Sequence, residues 1–209
     1  MQRSIPGSVL LCGVLMIAIA ASAQQAHPNL LPGIASADIA LTYNLERAKI
    51  ASSSCGYFWL NGAAAEVAVP FYRGFSATGS FGGAHASNIT PGVDLSKFTY
   101  VFGPRYTYDI SHYSGIATRG YSTHLFGEAL FGGTHAFSSS FPSPGGLVTS
   151  ANSFAMQLGG GLDVALSRGF GVRALQVDYI RTSLPNNASN TQNDLRIAFG
   201  ITYRAGKKN

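Results

Sequence analysis

From Lys97 to Asp109 the chain alternates at every step. Phe98, Tyr100, Phe102, Pro104, Tyr106 and Tyr108 hold the even positions, while Lys97, Thr99, Val101, Gly103, Arg105, Thr107 and Asp109 hold the odd ones. Successive side chains of an extended strand point to opposite faces, so a period of two assigns one aromatic face and one small or charged face. The same reading holds near the end of the chain. There Leu195, Ile197, Phe199, Ile201 and Tyr203 interleave with Asp194, Arg196, Ala198, Gly200, Thr202 and Arg204. It holds again near the start, with Ile39, Leu41, Tyr43 and Leu45 set against Asp38, Ala40, Thr42, Asn44 and Glu46. Such runs exceed the five or six residues of an ordinary strand. They match the ~9–11 residues that cross a bilayer at a tilt.

Eight segments alternate in this way: 37–47, 58–71, 75–86, 95–109, 118–136, 151–166, 169–182 and 193–205. Glycine pairs (Gly82-Gly83 and Gly132-Gly133) interrupt the third and fifth. The seventh changes parity between Arg173 and Gln176, the mark of a β-bulge. An even number of long strands predicts an all-β fold, an eight-stranded antiparallel up-and-down transmembrane β-barrel. The connections at Arg73-Gly74 and Ser167-Arg168-Gly169 have the shortness of tight hairpins. Those at 48–57, 87–94, 137–150 and 183–192 read as longer polar loops. Short and long connections alternate, as short periplasmic turns and longer outer loops do in outer-membrane barrels. The connection at 110–117 is longer than that scheme requires.

Only 11% of the residues are charged, against about 25% in an ordinary soluble domain. Disorder is excluded by the supply of aromatics, 13 Phe and 10 Tyr. A helical membrane protein is excluded because the apolar run Val9 to Ala21 falls short of the roughly 20 residues a spanning helix needs. Eight strands enclose an interior just wide enough for side chains. Placing all the strand aromatics there would overfill it, so the aromatic face is expected to meet lipid. An aromatic girdle is then expected at the strand ends, with Trp59 at one end and Phe71, Tyr106, Tyr108 and Tyr203 at the other.

The N-terminus reads as an export signal over 1–23. Arg3 precedes an apolar stretch and the small-residue cleavage pattern Ala21-Ser22-Ala23. A periplasmic segment (24–36), the barrel (37–205) and a short basic tail (206–209) are expected to follow. Leu11 before Cys12 does not suit a lipidation signal, and Cys55 alone would remain, giving neither a disulfide nor a cysteine-based metal site. His85, His124 and His135 lack metal-ligand spacing, so no metal and no cofactor is expected. Basic residues are scattered, which argues against nucleic acid.

The chain resembles the OmpA-like transmembrane domain family of small eight-stranded outer-membrane barrels. The resemblance rests on Ala37-Asp38-Ile39-Ala40-Leu41-Thr42-Tyr43, Phe102-Gly103-Pro104-Arg105-Tyr106, Leu130-Phe131-Gly132-Gly133, Leu158-Gly159-Gly160-Gly161-Leu162-Asp163, and Val172-Arg173 followed by Asp178-Tyr179. Tyr203 is followed by a basic tail, where such barrels usually end on an aromatic residue. The resemblance implies an integral outer-membrane protein with a filled interior. It also implies outer-membrane lipids and lipopolysaccharide as surroundings, chaperones and insertion machinery during biogenesis, and a monomeric state.

Strand parity points Glu66, Arg105, Asp109, Glu128, Asp163, Arg173, Asp178, Asp194 and Arg196 inward, with Lys97 near the outer mouth. Charges in a narrow interior are costly unless paired. The expected network therefore joins Glu66 or Glu128 to Arg105 or Arg173, with Asp163 and Arg196 as further members. A structural or surface-interaction role without enzymatic activity follows. A narrow channel is the alternative. A lipid-modifying enzyme is a second one, since His112-Tyr113-Ser114 resembles the His-x-Ser element of lipid A deacylases, although Gly115 follows where Asn is usual.

Overall fold

The structure, a computed structural model, describes residues 36–49, 56–90, 92–111, 121–167, 169–186 and 189–206. The export signal, most of the 24–36 segment, Cys55, His112 to Ser114 and most of the basic tail lie outside the described residues. The strands are β1 (Ser36–Lys49), β2 (Tyr57–Tyr72), β3 (Phe75–Thr90), β4 (Val93–Asp109), β5 (Ser122–Ser143), β6 (Gly146–Ala165), β7 (Phe170–Thr182) and β8 (Gln192–Gly206). Each pairs antiparallel with the next and the ring closes, giving the eight-stranded up-and-down barrel that the alternation predicts. Closure removes free edges along the common part of the wall. The seventh strand carries its bulge between Arg173 and Gln176, in the register with both neighbours.

Two of the four long loops are strand instead. β3 and β4 continue through most of 87–94 to a tight connection after Thr90. β5 and β6 continue through most of 137–150, where Phe141 pairs with Val148, Pro142 with Leu147 and Ser143 with Gly146. The reason for the misreading is local. Asn88 and Ser138 take positive φ angles of 54° and 62°, each inside a register shift, between Ala86 and Thr90 and between Phe137 and Phe141. Each shift breaks the parity, so the segment beyond it no longer alternates in step with the strand before it. Two rims result. The near rim holds the start of β1, the end of β8 and the Arg73-Gly74 turn. The far rim carries the prolonged hairpins.

Side-chain direction is inverted relative to a soluble barrel. Leu41, Tyr43, Phe81, Phe98, Tyr100, Phe102, Phe131, Leu158, Phe199 and Ile201 are all exposed. Among the described residues, the buried polar and charged side chains outnumber the buried apolar ones, and more than half of the latter are alanine. A period-two sequence folded in water would show the reverse. Glycine on the outer face is covered by aromatics of the adjacent strand: a Cβ added at Gly133 would lie 2.7 Å from Cζ of Tyr100. Such covering rescues the poor strand propensity of glycine.

Candidate functional site

The barrel interior at mid-height is a network of charged and amide side chains. Arg105 on β4 faces Glu128 on β5 in direct register, and its Nε donates to Glu128 Oε2 at 3.0 Å. Its Nη2 donates to both Glu128 and Glu66. Glu66 on β2 also accepts from Arg173 Nη1 of β7 at 2.6 Å. Arg173 is held from a second side by Asp163 of β6, through Nε to Oδ1 at 2.8 Å and Nη2 to Oδ2 at 3.1 Å. Arg196 of β8 donates through Nε to Asp178 Oδ2 at 3.0 Å. Glu66, Arg105, Glu128, Asp163, Arg173 and Arg196 thus lie in one connected cluster and its neighbouring pair, with all but the partly exposed Asp163 buried.

Three residues that parity does not reveal as partners complete it. Gln157 Nε2 donates to Glu128 Oε1 at 2.9 Å. Gln176 bridges the two halves, donating to Glu128 Oε1 and to Asp178 Oδ1, each at 3.1 Å, and accepting from Arg173 at 2.8 Å. Phe126 is buried between the guanidinium groups of Arg105 and Arg173, whose Cζ atoms stand 4.2 and 4.4 Å from its ring centroid. Flat, weakly hydrated guanidinium groups suit stacking on an aromatic face. Gln157, Asp178 and Leu130 are fully shielded from solvent, so side chains fill the section at this height.

Nearer the far rim Lys97 bridges Glu46 and Asp194, the latter at 3.0 Å. Glu46 follows the inward parity of β1, but its pairing across the barrel depends on closure and has no signal in the sequence. Two linked apolar groups lie on the same side. Leu60, Ala48 and Ala86 pack with Phe58, Ile89 and Leu95, and Leu95 also packs on Ala136, Phe141 and Leu184. Leu184 sits in the β7–β8 connection, pinned where Gln192 Nε2 donates to its carbonyl and Gln192 Oε1 accepts from its N–H, both at 2.9 Å. Asp109 keeps the parity of Arg105, with an unbroken register down to His124, but it lies at the end of β4, where it is exposed and accepts from the Ser111 N–H at 2.8 Å.

The girdle residues separate by rim. Trp59 is exposed on β2 toward the far rim, whereas Phe71, Tyr106, Tyr108 and Tyr203 are exposed toward the near rim. There Tyr106 packs on Phe75 and Tyr203 on Phe170, each with ring centroids 4.9 Å apart. Asp38 and Arg204 form an exposed pair beside them, with Arg204 Nη2 donating to Oδ2 at 3.0 Å. Among the described residues no group of His, Cys, Asp and Glu is arranged to hold a metal ion.

No family model matches the sequence, and no curated protein does. Solved structures do. The attachment invasion locus protein Ail of Yersinia pestis, in complex with the heparin analogue sucrose octasulfate, is similar with a TM-score of 0.51 at 18% identity. That match covers 81% of this chain and 97% of that one. Neisserial surface protein A matches with a TM-score of 0.52 at 15% identity, covering 80% of this chain and 96% of that one. At these identities the likeness carries the architecture alone. The chain therefore has the fold of the small eight-stranded outer-membrane β-barrels.

Proposed function

We propose that this protein is a monomeric integral outer-membrane barrel with a structural and surface-presenting role. In this reading its interior is occluded and its far rim faces outward. The observation that carries it is the inversion of the two faces: a lipid-compatible outside enclosing a hydrogen-bonded charge network. A pore needs a wet path, and Arg105, Glu128, Gln176 and Arg173 occupy the cross-section with their mutual bonds. Surface presentation is supported by the β5–β6 hairpin, which outruns its neighbours and leaves Leu147 and Val148 exposed. The printed names of the two fold neighbours, one an attachment protein and one a surface protein, are in keeping with that role.

Biogenesis through periplasmic chaperones and the insertion machinery belongs to the same reading, as does a non-catalytic role. Planar-bilayer recording tests the occlusion. The purified barrel should insert without steady conductance, and a stable ohmic step per inserted molecule would instead establish the channel. His112→Ala with mass analysis of lipid A tests the enzymatic alternative, and an unchanged lipid profile is expected.

A further inference from the structure

The charges of the interior are matched to opposite partners, but among the described residues three cations on the outward face of the strands are not. Arg47 and Lys49 of β1 and Arg181 of β7 are exposed, and none of them takes part in the ion pairs of the described residues. All three lie toward the far rim. A cation on the lipid face is destabilising near the bilayer midplane and tolerated near the interface, so their position marks headgroup depth.

The barrel's closure brings them together. β8 lies between β7 and β1. A Cβ on Gly200 would lie against the Leu41 carbonyl and Thr42 Cα, which sets Gly200 opposite Thr42. Counting along the antiparallel pair, Leu195 falls opposite Arg47 and Asn193 opposite Lys49. Asn193 is also the partner of Arg181. Lys49, Asn193 and Arg181 therefore form a row across three strands, with the two cations about 10 Å apart at the backbone. Arg47 sits two residues farther down β1.

The surroundings are aromatic. Trp59 pairs with Arg47 and Tyr57 with Lys49, both rings being about half exposed. Arg47 lies over the Tyr57 ring at 3.9 Å from its centroid. On the other side Tyr179 donates its hydroxyl to Asn193 Oδ1 at 2.6 Å.

We infer that this rim binds the headgroup of a phosphorylated glycolipid of the outer leaflet. The spread of the cations suits a headgroup carrying more than one phosphate rather than a single phosphodiester. The exposed Trp59 ring offers a flat face on which a sugar ring stacks, while the Tyr57 ring holds the Arg47 guanidinium. The inference rests on the outer-membrane reading above and adds the ligand class and the residues.

The test uses the full barrel refolded in detergent micelles, titrated with diphosphoryl lipid A and with the same lipid stripped of both phosphates. Binding is read by native mass spectrometry. The wild type should prefer the diphosphoryl form at least tenfold, and the preference should weaken as salt rises. Arg47→Gln/Lys49→Gln/Arg181→Gln, checked for folding by heat-modifiable gel migration, should lose most of that preference. Arg73→Gln at the opposite rim should keep it. Equal binding of the two lipids by the wild type overturns the inference without needing any variant to fold. An unchanged preference in the triple variant, or an equal loss with Arg73→Gln, also overturns it. Failure of the wild type to insert into lipid vesicles would instead overturn the membrane reading beneath it.

Discussion

Phe126 is an aromatic side chain on the inside of a barrel whose other described strand aromatics are exposed, apart from Phe58 and Phe141 toward the far rim. Its position follows from Arg105 and Arg173, which leave an apolar gap between two flat cations. A cation–π contact is worth about 2 kcal/mol when desolvated. Phe126→Leu keeps apolar bulk but removes both contacts, so it should lower stability by roughly 2–4 kcal/mol in urea unfolding from vesicles. Phe131→Leu on the lipid face should cost less. Arg105→Met should be more damaging than its size suggests, at about 3–5 kcal/mol, since Glu128 loses its cation in a dry interior. Adding Glu128→Gln should restore part of the loss. Glu66 keeps Arg173 and is the less exposed to that change. Strand parity made Glu66, Arg105, Glu128 and Arg173 legible as one inward set. It could not show Phe126, Gln157 or Gln176 as members, because a neutral amide or a ring joins such a network only through neighbours distant in sequence.

At the scale of elements, the register decides where glycine is required. On β6, Gly159 stands between Glu128 of β5 and Asp178 of β7. A Cβ there would lie 2.0 Å from Asp178 Oδ1 and 2.6 Å from the Val177 carbonyl. Gly159→Ala should therefore displace Asp178 from Gln176 and Arg196 and cost about 1–3 kcal/mol, as overpacking generally does. Gly83→Ala is the control, since nothing lies within 4 Å of its added Cβ. Comparing the urea midpoints of the two variants checks the claim. The strands themselves were readable wherever alternation ran unbroken, as in β1, β4 and β8. The far ends of β3 and β5, beyond Ala86 and Ala136, were not readable, because positive-φ residues Asn88 and Ser138 reset the parity. Pro142, Pro144 and three consecutive serines then carry the signature of a loop while forming a hairpin.

For the whole molecule, the inversion of faces decides between a soluble and a membrane barrel, and the alternation together with the narrow interior of eight strands made that choice visible. Phe102, near the middle of β4 and exposed, should not tolerate a charge. Phe102→Arg is expected to reduce folding into bilayers by about 2–4 kcal/mol, read from the folded fraction on unheated gels. The most direct measurement exploits Trp59 being the sole tryptophan. With Trp59→Phe as background, Phe102→Trp and Phe126→Trp each place a single indole, one on the outer face and one in the interior. Both variants are folded into vesicles whose acyl chains carry bromine, a short-range quencher. Strong quenching of the Phe102→Trp variant with little quenching of the Phe126→Trp variant is the predicted result. Quenching of the Phe126→Trp variant alone, or of neither, would contradict an outside made for lipid.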